Sequence, residues 1–166
     1  MYREGHVGAA LVAYTPVGVG AVLVGVPGLA ALGAVVSVAL ASLPDYDLRV
    51  PFVSHRGITH TVWFAAAVGA VLGGVGVLAS GPATWPTPVL AVFGATVGVV
   101  AVGSHVAADA LTPMGVEPFA PLSNANYSLS LVTADDTLAN WGLLAGGVLT
   151  ATATAAVLVR FGLLAG

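Results

Sequence analysis

The chain has 166 residues, with four arginines, seven acids, no lysine and no cysteine, for a formal net charge of −3. Charged residues make up 7% and hydrophobic residues 58%, with a mean hydropathy of +1.00, whereas soluble domains carry about 25% charge. Such a composition excludes a water-soluble globule and a disordered chain, a disulfide framework or thiolate metal site, and nucleic-acid binding by counterion release, for want of a basic patch.

What remains is an integral, multi-pass membrane protein of the cell membrane, a single membrane domain over residues 1–166. A spanning helix needs roughly 20 apolar residues, and five stretches supply them. The first covers 7–26, and Pro16 is expected to kink it, as neighbouring helices tolerate. Arg3 is balanced by Glu4 and no small-residue cleavage site follows, so this stretch reads as a retained helix rather than a signal peptide. The second, 28–43, is short, which implies little tilt or partial burial in protein, and Pro44 ends it. The third covers 61–80, with Thr59 or Thr61 as its cap. The fourth covers 87–111 and the fifth 140–164, the latter capped by Asp135 or Asp136. The apolar runs are continuous rather than alternating, which excludes a barrel. The expected fold is therefore all-α, a bundle of about five transmembrane helices. Gly69/Gly73, Gly94/Gly98 and Gly142/Gly146 have the spacing that lets helices approach closely. No internal repeat supports an inverted-repeat transporter.

Direction of travel gives this bundle two unlike ends. Helix one leaves the face of the N-terminus and helix two returns to it; helices three and four do the same. His6, Asp45, Asp47, His55, Arg56, His60, His105, Asp109, Glu117, Asp135 and Asp136 then all map to one membrane face. The opposite face has a Val26-Pro27-Gly28 turn and an uncharged loop at 81–86, plus Arg160. Arg3, Arg49 and Arg56 against Arg160 would make the polar face cytoplasmic by the positive-inside rule, but Arg56 is itself a candidate site residue, so the count leaves the orientation open.

His105 and Asp109 are four residues apart, so they share a helix face one turn apart within a hydrophobic span. Ionisable groups there are expensive unless paired, hydrated or metal-bound. Taken alone, the pair reads equally well as a hydrogen bond that joins helices. Ser42-Leu43-Pro44-Asp45-Tyr46-Asp47 sets two carboxylates just beyond helix two, and Ser54-His55-Arg56-Gly57-Ile58-Thr59-His60-Thr61 sets two imidazoles and a guanidinium before helix three. Imidazole with carboxylate suits zinc first, and manganese or iron with more oxygen ligands. His6, Asp45, His60, His105 and Asp109 supply enough groups for one or two divalent ions sharing a bridging carboxylate.

Pro44-Asp45-Tyr46-Asp47, His55-Arg56-Gly57-Ile58-Thr59-His60, His105-Val106-Ala107-Ala108-Asp109 and Thr112-Pro113-Met114-Gly115 together resemble the YdjM-like family of membrane-bound metal-dependent hydrolases. Pro121-Leu122-Ser123 and Tyr127-Ser128-Leu129 resemble that family's tail, so the likeness covers most of the chain. More distantly, the ligand order is similar to that of the zinc-dependent phospholipase C and P1 nuclease group. That resemblance implies that Asp45, His60, His105 and Asp109 hold one metal, and that His6 and the shared Asp109 hold a second. The group's third-metal histidines have no counterpart after Asp109.

The expected activity is metal-assisted hydrolysis of a phosphoester in a lipid or lipid-linked substrate, through a metal-activated water. Arg56 would stabilise phosphoryl charge, and Asp47 or His55 would orient the water or protonate the leaving group. The segment 117–140, rich in Ser, Asn and Thr, is either a lid or a solvated connector. Two other classes compete: a metal-ion transporter, and a structural protein whose metal only staples the bundle. Transporters usually carry their ions near the midplane, whereas these ligands gather at one end.

Overall fold

The computed structural model describes residues 1–82 and 85–164, so residues 83 and 84 of the expected 81–86 loop lie outside the described residues. Five long helices carry the chain: α1 (Arg3–Leu23), α2 (Pro27–Leu40), α3 (Val62–Ala79), α4 (Thr87–Ala110) and α5 (Thr137–Arg160). Two short 3-10 turns, Pro44–Arg49 and Ile58–His60, lie between α2 and α3. Five candidate spans result, long and apolar enough to cross a bilayer, the second of them counted through the first 3-10 turn as Pro27–Arg49.

Each boundary has a local cause. α1 begins four residues earlier than its hydropathy suggests, so His6 lies inside it, and it runs through Pro16 to Leu23. Gly25, at φ +82°, takes the left-handed conformation that the turn into α2 needs, and Pro27 starts α2 where its missing N–H is not required. α2 stops at Leu40, before Pro44, because the chain tightens there into the first 3-10 turn. Thr61 is the cap of α3, its hydroxyl accepting the Phe64 N–H at 3.2 Å. Of the two aspartates before α5, Asp136 is the cap and accepts the Ala139 N–H at 2.9 Å. That cap starts α5 three residues ahead of the expected 140.

α3 packs antiparallel on α4 and α1 packs parallel on α5, with α1 also lying against α2 and α4. Outward-facing side chains such as Val71, Leu78, Leu149 and Val159 are exposed and apolar, as a lipid-facing surface requires. Small residues set the two tightest crossings. Gly69 and Gly73 meet Gly98, Ala95 and Ala91 across the α3–α4 seam. The α1–α5 crossing does not use Gly142 and Gly146, which have nothing within 4 Å of a built Cβ. It uses Gly8 and Gly147, one helix face round, where a Cβ on Gly8 would lie 2.3 Å from the Leu143 carbonyl oxygen. Gly8→Ala is therefore expected to wedge α1 from α5 and lower stability by about 1–3 kcal/mol. Gly146→Ala is expected to be neutral or stabilising, both being read by thermal unfolding in detergent.

Segment 117–140 is pinned rather than loose. Val116 and Tyr127 form an antiparallel bridge, and the Leu129 and Leu131 N–H groups donate to the Ala110 and Leu111 carbonyls at 2.7 and 2.8 Å. It is thereby tied to the C-terminal end of α4.

Candidate metal centre

Five ionisable residues far apart in sequence reach one end of the bundle. His6 comes from the first turns of α1, Asp45 from the 3-10 turn after α2, and His60 from the turn before α3; His105 and Asp109 come from the last turns of α4. The counting of odd and even spans had placed them on one face, and the structure places them in contact.

The contacts are close to a coordination polyhedron. His60 Nε2 lies 3.1 Å from His105 Nε2, 3.6 Å from Asp45 Oδ1 and 3.3 Å from Asp109 Oδ2. His105 Nε2 lies 3.4 Å from Asp45 Oδ1 and 3.5 Å from Asp109 Oδ2. Tetrahedral metal–nitrogen and metal–oxygen bonds of about 2.0–2.1 Å set ligand atoms about 3.3 Å apart. Five of the six edges of the four-atom cage therefore already have the span of a small divalent cation's coordination shell.

The protons also fit. His105 Nδ1–H donates to the Ala41 carbonyl at 2.8 Å, which leaves Nε2 as the lone-pair nitrogen. Thr59 Oγ1 donates to Asp47 Oδ2 at 2.8 Å and is 3.0 Å from His60 Nδ1, so it accepts that N–H and leaves His60 Nε2 bare as well. Two bare nitrogens 3.1 Å apart repel unless a proton or cation lies between them. Asp109 Oδ2, buried beside both, has no hydrogen-bond partner, and an orphaned buried carboxylate oxygen is costly. The buried His and Asp groups could hold a metal ion, and their donor chemistry suits one. Burial opposes a charge on His60, but its approach to Asp109 and Asp45 outweighs that and raises its pKa above the ordinary imidazole value.

His6 sits one step to the side. Its ring stacks on His105 with centroids 3.6 Å apart. Its Nε2 is 3.6 Å from Asp45 Oδ2 and from Asp109 Oδ1, the oxygens that face away from the four-atom cage. Both carboxylates thus have one oxygen for each of two neighbouring positions. At the His6 position the Met1 amino group contacts Asp109 Oδ1 and the Met1 carbonyl accepts from His6 Nε2 at 3.1 Å.

A second layer holds this cage. Asp47 is buried and accepts from His55 Nδ1 at 2.9 Å, from the Arg56 backbone N–H at 3.1 Å and from Thr59. Arg56 adopts φ +59° and turns its guanidinium onto Asp109 Oδ1 at 2.8 Å, Thr112 Oγ1 at 2.9 Å and the Gly115 carbonyl at 2.8 Å. His55 is at the outer edge, its side chain 32% exposed. Asp47→Ala should remove the anchor that orients His60 and lower metal affinity about 10–100-fold. A competition titration with a chromophoric chelator measures that change.

The structure thus brings His6, Asp45, His60, His105 and Asp109 together, and sets Asp47, His55 and Arg56 behind and beside them. Sequence reasoning missed Thr59, Thr112 and the Ala41 carbonyl as supports. Thr59 lies inside the His-Arg-Gly-Ile-Thr-His string and was visible only as a cap candidate; a backbone carbonyl such as that of Ala41 leaves no mark in a sequence. The YdjM inner membrane protein family matches residues 1–165, and the chain belongs to that family. No curated protein and no solved structure matches it.

Proposed function

We propose that this YdjM-family membrane protein is a metal-dependent hydrolase that cleaves a phosphoester of a lipid or lipid-linked substrate, with zinc as its cation. The cluster of His6, Asp45, His60, His105 and Asp109 at one end of the bundle carries the reading. Nitrogen-with-carboxylate sets of this size suit zinc. When bound, the cation supplies Lewis acidity and brings a coordinated water's pKa toward neutrality. Among the four groups of the cage Asp45 is 24% exposed while the other three are 0–1% exposed, so reactants reach the centre on its side. A reactive centre at the hydrocarbon–water boundary suits a polar head on an apolar tail.

The surrounding residues divide the remaining work. Arg56 spends its guanidinium on Asp109, Thr112 and Gly115, so it positions Asp109. His55, exposed and backed by the Asp47 carboxylate, is the proton carrier, with Asp47 fixing its tautomer and orientation. His55→Gln is expected to lower turnover of a phospholipid panel about 10²–10⁴-fold with metal content unchanged. Headgroup or phosphate release and elemental analysis of the purified protein decide it, and no release from any lipid by the metal-loaded protein would sink the hydrolase reading.

The staple reading also has an observation in its favour, since the cage ties α4 to both 3-10 turns. Metal-dependent stability without turnover selects it.

A further inference from the structure

Beside the centre, on the Asp45 side, a cleft of about 450 Å³ opens between the start of α1 and the end of α2. Arg3 and Arg49 line it together with Ser42 and Tyr46, and Asp45 forms the wall shared with the metal cage. Among the described residues neither arginine has a carboxylate within ion-pair distance; Arg49 lies over the Tyr46 ring at 5.1 Å. The Ser42 hydroxyl oxygen is buried without a partner. Two unneutralised guanidiniums and a spare hydroxyl favour an anion rich in acceptor oxygens.

A second, apolar space lies further along α2. Val38 lines the cleft, and Ala34, Ala31 and Pro27 line an apolar cavity of about 220 Å³ whose other walls are Leu11 and Tyr14 of α1 and Ala151 and Ala155 of α5. Positions 27, 31, 34 and 38 recur at helical spacing, so one face of α2 walls both spaces. Arg3 is separated from Leu11 by about 12 Å of helix rise and from Val22 by about 28 Å, so the apolar cavity starts below the arginines and runs toward the opposite membrane face.

We infer that the α1–α2 seam binds a lipid bearing a phosphate group, with the phosphate between Arg3 and Arg49 and an acyl or prenyl tail along Ala31 and Ala34. The lipid is the substrate, and this assignment deepens the hydrolase reading and rests on it for that identification. A headgroup carrying its own anionic charge is preferred over a zwitterionic one, because the cleft sets two guanidiniums, Arg3 and Arg49, against the single Asp45 carboxylate.

Binding to the metal-stripped protein in detergent tests this apart from turnover. By microscale thermophoresis, dioctanoyl phosphatidic acid should bind more tightly than dioctanoyl phosphatidylcholine. The Arg3→Gln/Arg49→Gln variant should weaken phosphatidic acid about tenfold and phosphatidylcholine less, so that the preference between them narrows. Ala31→Phe, which fills the tail groove, should weaken both lipids. Equal affinity for the two lipids in the unaltered protein, or an unchanged phosphatidic acid Kd in the double arginine variant, overturns the proposal. Binding of inorganic phosphate without either lipid overturns it too, by making the cleft a site for a free anion. Arginine-dependent lipid binding by a protein whose metal-loaded form hydrolyses nothing keeps the groove and sinks the hydrolase reading. Turnover that ignores both arginines keeps the hydrolase and sinks the groove.

Discussion

Asp109→Ala is expected to strip the centre of its cation, abolish turnover and destabilise the fold, the largest effect of any single substitution. One of its oxygens faces His60 and His105 at 3.3 and 3.5 Å; the other holds Arg56 at 2.8 Å and contacts the Met1 amino group. Removing one partner from a buried ion pair costs about 3–5 kcal/mol, because the other charge is left uncompensated. Arg56 would be that charge, its side chain only 7% exposed. Asp109→Asn separates folding from chemistry. It keeps the volume and one oxygen for the guanidinium, so its unfolding temperature should fall less, while the loss of anionic charge empties the cage. Elemental analysis together with circular dichroism melts in detergent reads both variants. An Asp109→Ala protein that retained its metal would remove the cage from consideration.

The second large effect is expected from the cation itself. A ligand that binds the folded state alone stabilises it by about 4 kcal/mol when present at 1,000 times its Kd, which raises Tm by roughly 10 °C for a chain of this size. Zinc added to chelator-treated protein should produce that rise, and a chelator should reverse it. Acid should erase it. Protonated His60 is favoured by Asp109 and Asp45 in the folded, metal-free state. The stability this contributes is present below the imidazole's ordinary pKa and is lost as pH rises through the raised one. The cation must displace that proton, so the zinc-dependent rise in Tm grows toward alkaline pH and shrinks toward acid. Melts with and without zinc over a series of pH values check the sign, and a rise that grew on acidification would contradict it.

Much of this site was legible before any coordinates. Five apolar runs of spanning length set the helix count, and the parity of that count forces His6, Asp45, His60, His105 and Asp109 to the same end whatever the helices' detailed packing. Asp109 following His105 by one helical turn is a local fact that survives in three dimensions, where both Asp109 oxygens are used. The second layer was not legible for a physical reason. Arg56 reaches Asp109 only because the chain takes φ +59° there, a backbone choice that Gly57 next to it hints at but does not fix. Asp47 looked like a candidate acid or base, but four side-chain and backbone groups from 55–60 crowd its two oxygens. Such convergence depends on the path of an irregular loop, for which hydropathy has no period. The α1–α5 crossing was hidden in another way. Gly142/Gly146 and Gly8/Gly147 have the same chemistry, and which glycines meet is decided by the rotation of each helix about its axis. A chain with 22 glycines offers several equally good choices.

The brevity of α2 has a consequence for the membrane around it. Its 14 regular residues rise only about 21 Å, against roughly 30 Å of hydrocarbon in a typical bilayer. Adjacent lipids must pinch inward, or the first 3-10 turn must sink beneath the phosphate plane, and each adjustment costs a fraction of a kcal/mol per ångström of mismatch. The first adjustment dimples the bilayer locally; the second draws Asp45 and its turn into the span, which then runs Pro27–Arg49. Where the lipids pinch, headgroups ride deeper than elsewhere in the leaflet, and a lipid needs little vertical displacement to bring its polar end level with the histidines.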